Sequence, residues 1–292
     1  MKEPRGIRFT KMEGVGNDYI FVNCFEEGEE HDWHRLAREI SDRHYGVGSD
    51  GLILVMKSET ADFRMRIYNS DGSEGDMCGN GMRSFARLVY EHGLTNKTEI
   101  TVETRAGLIR PRLEMDHGEV QSITVDMGTP SLRPHEVPVI VPDEREFAVD
   151  IPVTVGERTY LVTGVRMGNP NGVVFVDDTS RVDLPTEGSA LESSSAFPRK
   201  ANIEFVQVLS RQHLRMLVYE RGSGVTLACG TGASASLVAS AFTGRTGRSA
   251  QVDLMGGKLF IEWTPGDHVF MTGPAVEIAQ GTFTRWKEVG SG

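Results

Sequence analysis

The sequence predicts an α/β (α+β) fold built from two similar domains. Three observations lead there: a length of 292 residues, β-rich runs alternating with helical stretches, and an internal repeat. A chain this long exceeds the usual single-domain size, so two domains of about 100–150 residues each are expected.

In the first half, Ile20–Val22, Gly51–Val55, Met65–Tyr68, Glu99–Glu103 and Leu108–Leu113 read as strands, being apolar or β-branched runs that end at turn residues. Trp33–Arg43 and Gly81–His92 carry apolar residues at helical spacing, the second stopping at Gly93. The second half repeats the pattern with Gly172–Val176, Ile203–Leu209 and Leu214–Tyr219, then a helix over Gly232–Phe242 and strands near Ala250–Leu254 and Lys258–Trp263. Thr129–Pro152, rich in Pro and acidic residues, is the expected linker, with short strands of its own, and Ser189–Arg199 reads as a surface loop.

The repeat is visible without gaps. At a constant offset of 151 residues, Met65 falls on Met216, Tyr68 on Tyr219, Cys78 on Cys229, Gly79 on Gly230 and Gly81 on Gly232. One residue further out of phase, Gly16-Asn17-Asp18 meets Gly168-Asn169-Pro170. Two of the three cysteines therefore occupy equivalent places in two similar domains.

Composition narrows the function. The net charge is −10 and no run of Lys or Arg stands out, which argues against nucleic acid or an anionic membrane as partner. The start, Met-Lys-Glu-Pro-Arg-Gly, lacks the apolar stretch of a signal peptide, and no apolar run approaches a membrane span. Three cysteines without CxxC spacing or a Cys/His cluster make a disulfide framework or a zinc site poor readings, and a cytoplasmic location is expected. Asn69–Glu74 lacks the spacing of a calcium loop, Gly244–Ser249 reads as a solvated turn, and nothing calls for pyridoxal phosphate.

Cys78 and Cys229 each stand where a loop gives way to a helix: Asp76-Met-Cys-Gly-Asn-Gly81 and Leu227-Ala-Cys-Gly-Thr-Gly232. Unpaired N–H groups and the helix dipole at such a place favour negative charge, so a thiol there is expected to have a lowered pKa. The same N–H groups can hold a substrate carboxylate, with Gly letting the backbone come close. Two such ends facing one α-carbon would let a thiolate remove its proton while the opposing thiol delivers one to the other face. Other readings stay open: a buried structural thiol, which suits Cys24 best; a Cys78–Cys229 disulfide as an oxidised inactive form; or a nucleophile with a distant His.

These residues resemble those of the diaminopimelate epimerase family. The likeness covers most of the chain through Phe9–Asp18, Arg43–Gly51, Asn69–Glu74, Cys78–Gly81, Met167–Pro170, Tyr219–Gly224 and Ala228–Gly232. It implies domains that are each a curled, mostly antiparallel sheet around a central helix, with the active site in the cleft between them. The implied domains are 1–127 with a C-terminal strand at about 276–286, and 128–275. It further implies a metal-free, pyridoxal-free mechanism without any cofactor, commonly in a homodimer, acting on a small amino-acid substrate. Carried over position by position, Cys78 and Cys229 are the acid–base pair, with Glu220 beside them as a catalytic and substrate-binding carboxylate. Gly79, Asn80, Gly230 and Thr231 hold the reacting carboxylate, and Asn17, Asn69, Asn169, Asn202 and Arg221 grip the rest.

The implied reaction is epimerisation of LL-2,6-diaminopimelate to the meso form, serving lysine and peptidoglycan precursor synthesis. Two positions depart from the family pattern: Asn171 stands where a His that poises the nearby cysteine, expected to be Cys78, usually follows Gly-Asn-Pro, and Val225 where a Glu is usual. They motivate two alternatives, a racemase of another amino acid such as histidine and a scaffold that binds an amino acid without turning it over.

Overall fold

The computed structural model describes residues 6–286, which divide into two compact units. The first runs up to Val125 and resumes at Gly273; the second is Asp126–Thr272.

In the first unit the strands lie in the order Val276–Phe283, Ile7–Gly14, Asn17–Asn23, Gly51–Met56, Phe63–Asn69, Val102–Thr104 and Gly107–Ile109, with Glu74–Gly75 paired onto Phe63–Asn69. Asn17–Asn23 runs parallel to Gly51–Met56, and Phe63–Asn69 parallel to Val102–Thr104; the other pairs are antiparallel. Gly51–Met56 is buried along its whole length because both faces are covered. Leu52 and Leu54 join the cluster under the Trp33–Ser41 helix, while Ile53, on the opposite face, meets the Gly79–Glu91 helix at Gly81.

The second unit repeats this plan. Its order runs Ile151–Val155, Arg158–Met167, Asn169–Phe175, Asn202–Ser210, His213–Glu220, Ser249–Leu254, Gly257–Trp263 and Val269–Gly273, with Gly224–Val225 paired onto His213–Glu220. The parallel pairs fall at the same places, Asn169–Phe175 with Asn202–Ser210 and His213–Glu220 with Ser249–Leu254. Register agrees residue by residue: Leu52 faces Tyr68 as Ile203 faces Tyr219, and Ile53 faces Ile67 as Glu204 faces Val218. Each unit carries one 13-residue central helix, Gly79–Glu91 or Gly230–Phe242, with most of its residues buried.

Several expected boundaries move. Leu108–Leu113 is two strands, Gly107–Ile109 and Arg112–Asp116, because Pro111 has no N–H for a continuous ladder. The strand expected from Glu99 starts at Val102. The first helix stops at Ser41, where the Asp42 side chain accepts from the His44 and Tyr45 amides and turns the chain. Thr129–Pro152 is not a linker: Val137, Val139, Ala148 and Ile151 sit in the second unit's core, held there by apolar spacing that the prolines obscure. Ser189–Arg199 is not a plain surface loop either, since it holds the short Ser189–Glu192 helix and buries Leu191 and Phe197.

Candidate active site

Each of the two cysteines is the N-cap of its unit's central helix. Cys78 has φ −134° and ψ 121°, and Cys229 has φ −129° and ψ 112°, the extended geometry an N-cap requires. Cys78 Sγ accepts from the Gly81 amide at 3.4 Å, and Cys229 Sγ from the Gly232 amide at 3.4 Å. Sulfur thus takes the place that a Ser or Asp oxygen usually fills, and remaining first-turn amides stay available to an anion. A side chain at either inner position would crowd the strand residue beneath it. A Cβ on Gly81 would lie 2.7 Å from Ile53 Cδ1, and one on Gly232 would lie 2.7 Å from Glu204 Oε1.

Around Cys78 the polar groups form one chain of contacts. The Tyr19 hydroxyl donates to Cys78 Sγ at 3.5 Å, and the Sγ in turn reaches Asn17 Oδ1 at 3.6 Å. Asn17 Oδ1 also accepts from Asn80 Nδ2 at 3.3 Å, and Asn17 Nδ2 donates to Asp50 Oδ2 at 2.6 Å. Beneath them Arg83, fully buried, donates to Asn80 Oδ1 at 2.8 Å and to the Pro274 carbonyl at 3.1 Å. Burial pushes the Arg83 guanidinium down to about 10, yet it remains a cation at neutral pH with favourable charge interactions toward Cys78 and Glu13. Burial, followed by Cys78, pushes the Tyr19 phenol well above its ordinary value, so Tyr19 is a proton donor to sulfur and not a base.

Around Cys229 the lining is different. Asn202 Nδ2 lies 3.6 Å from Sγ and the Thr231 hydroxyl 3.3 Å from it. Asn202 Oδ1 accepts from the Arg221 amide at 2.9 Å, and Asn202 Nδ2 approaches Asn171 Oδ1 at 3.5 Å. Glu220 accepts from the Thr226 hydroxyl at 2.5 Å. Burial first, then Glu220 and Glu204, pushes the Cys229 thiol well above its ordinary value. That overturns the expectation of a lowered pKa at this helix end. Desolvation and two nearby carboxylates outweigh the helix dipole and the Gly232 amide.

The residues singled out in the sequence fall as follows. Cys78, Gly79, Asn80 and Asn17 gather at the first helix end, and Cys229, Gly230, Thr231, Asn202 and Glu220 at the second. Asn169 contacts Asn171 through its backbone and side-chain oxygens. Arg221 is exposed and its guanidinium donates to the Arg199 carbonyl at 3.2 Å. Asn69 does not join the thiol network; it is exposed and bonds Ser73 within its own turn. Asn171 is fully buried, donates to the Val165 and Asn169 carbonyls, and is linked through Asn202 to Cys229. Val225 is exposed, at 44%. Cys24 is a buried thiol in the core cluster, and burial pushes it up to about 12. All three cysteines are free thiols.

Tyr19, Arg83, Asp50 and Glu204 were not singled out from the sequence. The repeat held a signal for one of them. At the offset of 152 that pairs Asn17 with Asn169, Tyr19 pairs with Asn171, and in the sheets Tyr19 faces Gly51 as Asn171 faces Asn202. Among the described residues no cluster of three or more His, Cys, Asp or Glu could hold a metal ion, and no helix is long and apolar enough to cross a membrane.

Solved structures share this fold. A phenazine biosynthesis protein of the PhzF family from Bacillus anthracis superposes with a TM-score of 0.70 at 18% identity, over 95% of this chain and 99% of that one. A hydroxyproline epimerase from Agrobacterium vitis superposes with a TM-score of 0.70 at 16% identity, over 97% and 94%. The architecture is thus one that an epimerase uses, and it is the sequence matches that make the chain an enzyme of the isomerase class. Sequence carries the assignment further. Residues 9–133 and 163–278 match the profile of diaminopimelate epimerase. Diaminopimelate epimerases from Moorella thermoacetica and Methanococcus maripaludis are 50% and 44% identical, covering 95% and 94% of this chain and 99% of each relative. This chain belongs to the diaminopimelate epimerase family.

Proposed function

We propose that the protein epimerises LL-2,6-diaminopimelate to meso-diaminopimelate, with Cys78 and Cys229 exchanging the roles of base and acid at one α-carbon. The observation that carries the reading is the pair of thiols capping equivalent helices, each with first-turn amides beside it. One thiolate removes the α-proton as the other thiol returns a proton to the opposite face, and the reverse reaction uses the same groups with roles exchanged. Amides at Gly79, Asn80, Gly230 and Thr231 are suited to the reacting carboxylate and to the charge that develops as the proton leaves. The charge interaction of Glu220 with Cys229 supports a role for this carboxylate beside the thiol and on a substrate ammonium, and the Arg221 guanidinium suits a second carboxylate bidentately. Asn17, Asn69, Asn169 and Asn202 complete the grip on the substrate. No cofactor is needed for this chemistry. We take the enzyme to be a cytoplasmic homodimer, in keeping with the family resemblance, and sedimentation analysis reads its oligomeric state directly.

Proton NMR in D₂O under reducing conditions tests the reading. The α-proton signal of LL-diaminopimelate is expected to fade as the meso form appears; a folded, reduced protein that leaves the signal intact overturns it. A second reading keeps the chemistry and changes the amino acid. It is favoured by Asn171, a neutral amide where the family pattern has an imidazole, and loss of an α-proton signal only from another amino acid would establish it.

A further inference from the structure

Glu204 lies in the Asn202–Ser210 strand, parallel to Asn169–Phe175, with its side chain fully buried. Neither carboxyl oxygen has a hydrogen-bond partner among the described residues. Its Oε1 points into the first turn of the Gly230–Phe242 helix, at the place a Cβ on Gly232 would take, and the Gly232 amide is the one that donates to Cys229 Sγ. At the equivalent place in the first unit stands Ile53, which packs against Gly81 in the same way. A carboxyl with no partner in a fully buried site is strongly disfavoured if ionised alone, so packing alone does not account for it. An isoleucine fills the equivalent space without that cost.

We infer that Glu204 is a positioning residue for Cys229, a buried carboxyl that keeps this thiol protonated in the resting enzyme, at a place where the first unit has Ile53. The inference rests on the two-thiol reading above and assigns unequal resting roles within it: Cys229 begins as the acid.

The titratable groups facing Glu204 are few. On the neighbouring His213–Glu220 strand it is Glu220, and at the helix it is Cys229; Asn169–Phe175 and Gly230–Phe242 contain no charged residue. Three groups that become anionic thus share one buried region. Burial, then Glu220, moves the Glu204 carboxyl well above its ordinary range, and burial, Glu220 and Glu204 move the thiol upward in turn. A charge on the Glu204 carboxyl opposes a charge on the Cys229 sulfur, so the two groups do not ionise independently. Arg83 has no counterpart here, since Ser234 takes its place and donates to the Gly230 carbonyl at 2.9 Å.

The test reads protonation directly and does not depend on turnover. Protein labelled at cysteine Cβ with carbon-13 is titrated by NMR in a Cys24→Ser, Cys78→Ser background, leaving Cys229 as the one signal. Glu204→Gln, which keeps the shape and removes the ionisable group, is expected to lower the Cys229 midpoint by about one pH unit or more, a tenfold or greater rise in thiolate at fixed pH. Glu204→Asp is expected to stay nearer the parent. In a Cys24→Ser, Cys229→Ser background the Cys78 midpoint is expected not to move with Glu204→Gln. A Cys229 midpoint that stays in place or rises overturns the inference, as does an equal fall at Cys78. Should Glu204→Gln fail to fold, Glu204→Ile copies the first unit and carries the same expectation. Absence of α-proton exchange in the unmodified enzyme would instead remove the epimerase reading and leave the thiol midpoints to be judged by themselves.

Discussion

The two helix ends share a backbone and differ in charge. Both present an extended cysteine N-cap, a Gly whose amide meets sulfur, and a 13-residue buried helix. Both thiols have two asparagines nearby, Asn17 and Asn80 or Asn171 and Asn202, but Cys78 has a buried guanidinium, an isoleucine and a tyrosine hydroxyl where Cys229 has the carboxyl groups of Glu204 and Glu220. Duplication therefore accounts for the geometry of the pair, while substitutions around it made the two thiols chemically unequal. In the proposed two-thiol reaction, which must run in both directions, equality of position would matter more than equality of environment, because each thiol would meet the substrate in both of its states.

The largest expected effect tests what the halves have in common. Cys78→Ala and Cys229→Ala should each lower the rate of α-proton exchange by about 10²–10⁴-fold, the range for removing a general acid or base, with Cys24→Ala close to the parent. Retention of full activity by either of the first two would break the equivalence of the sites.

Next in size is the contrast at the fifth residue of each helix. Arg83→Ala removes a buried side chain and leaves Asn80 Oδ1 and the Pro274 carbonyl without its donors, so a loss of about 2–5 kcal/mol in unfolding free energy is expected. Ser234→Ala removes only a hydroxyl that bonds back to the Gly230 carbonyl in its own helix, and should cost about 1 kcal/mol or less. Chemical denaturation measures both, and equal losses would mean that Arg83 is not the structural keystone of the Cys78 side.

The carboxyl side has a pH signature. Because the native state holds the Glu204 proton to a higher pH than the unfolded chain does, its contribution to stability is whole below the ordinary Glu range and is lost as pH rises through its native pKa. Thermal midpoints should therefore fall with rising pH less steeply in Glu204→Gln than in the parent. Parallel pH curves for the two proteins would show that Glu204 ionises as readily in the folded state as in the unfolded one.

How much of this could be read from the sequence differs between backbone and environment. The helix ends, the glycines and the cysteine pairing announce themselves locally, because a Cys-Gly-x-Gly turn entering an apolar helix leaves few other conformations. The fold class followed from the same repeat. Thr129–Pro152 did not, because its prolines and acids hide the apolar residues that reach the core. Glu204 and Arg83 were silent for another reason: a charged residue in a strand or helix reads as solvent-facing until packing shows both of its surroundings closed. The Asn171 departure was visible, but its link to Cys229 through Asn202 needed the sheet register.

The smallest effect examines the position equivalent to Asn171. Tyr19 faces Gly51 as Asn171 faces Asn202, so one strand position serves each thiol, directly through a hydroxyl in the first unit and through a second amide in the other. Tyr19→Phe removes only the donor to Cys78 Sγ and keeps the ring that fills the core. A neutral hydrogen bond of this kind is worth about 0.5–1.5 kcal/mol, so α-proton exchange should slow by roughly 2–10-fold. Since the phenol favours the thiolate it donates to, the Cys78 midpoint should rise while that of Cys229 stays put. Carbon-13 titration of the two thiols separates these cases. A shift at Cys229 equal to that at Cys78 would mean that Tyr19 acts through the fold of the protein as a whole and not through the sulfur it touches.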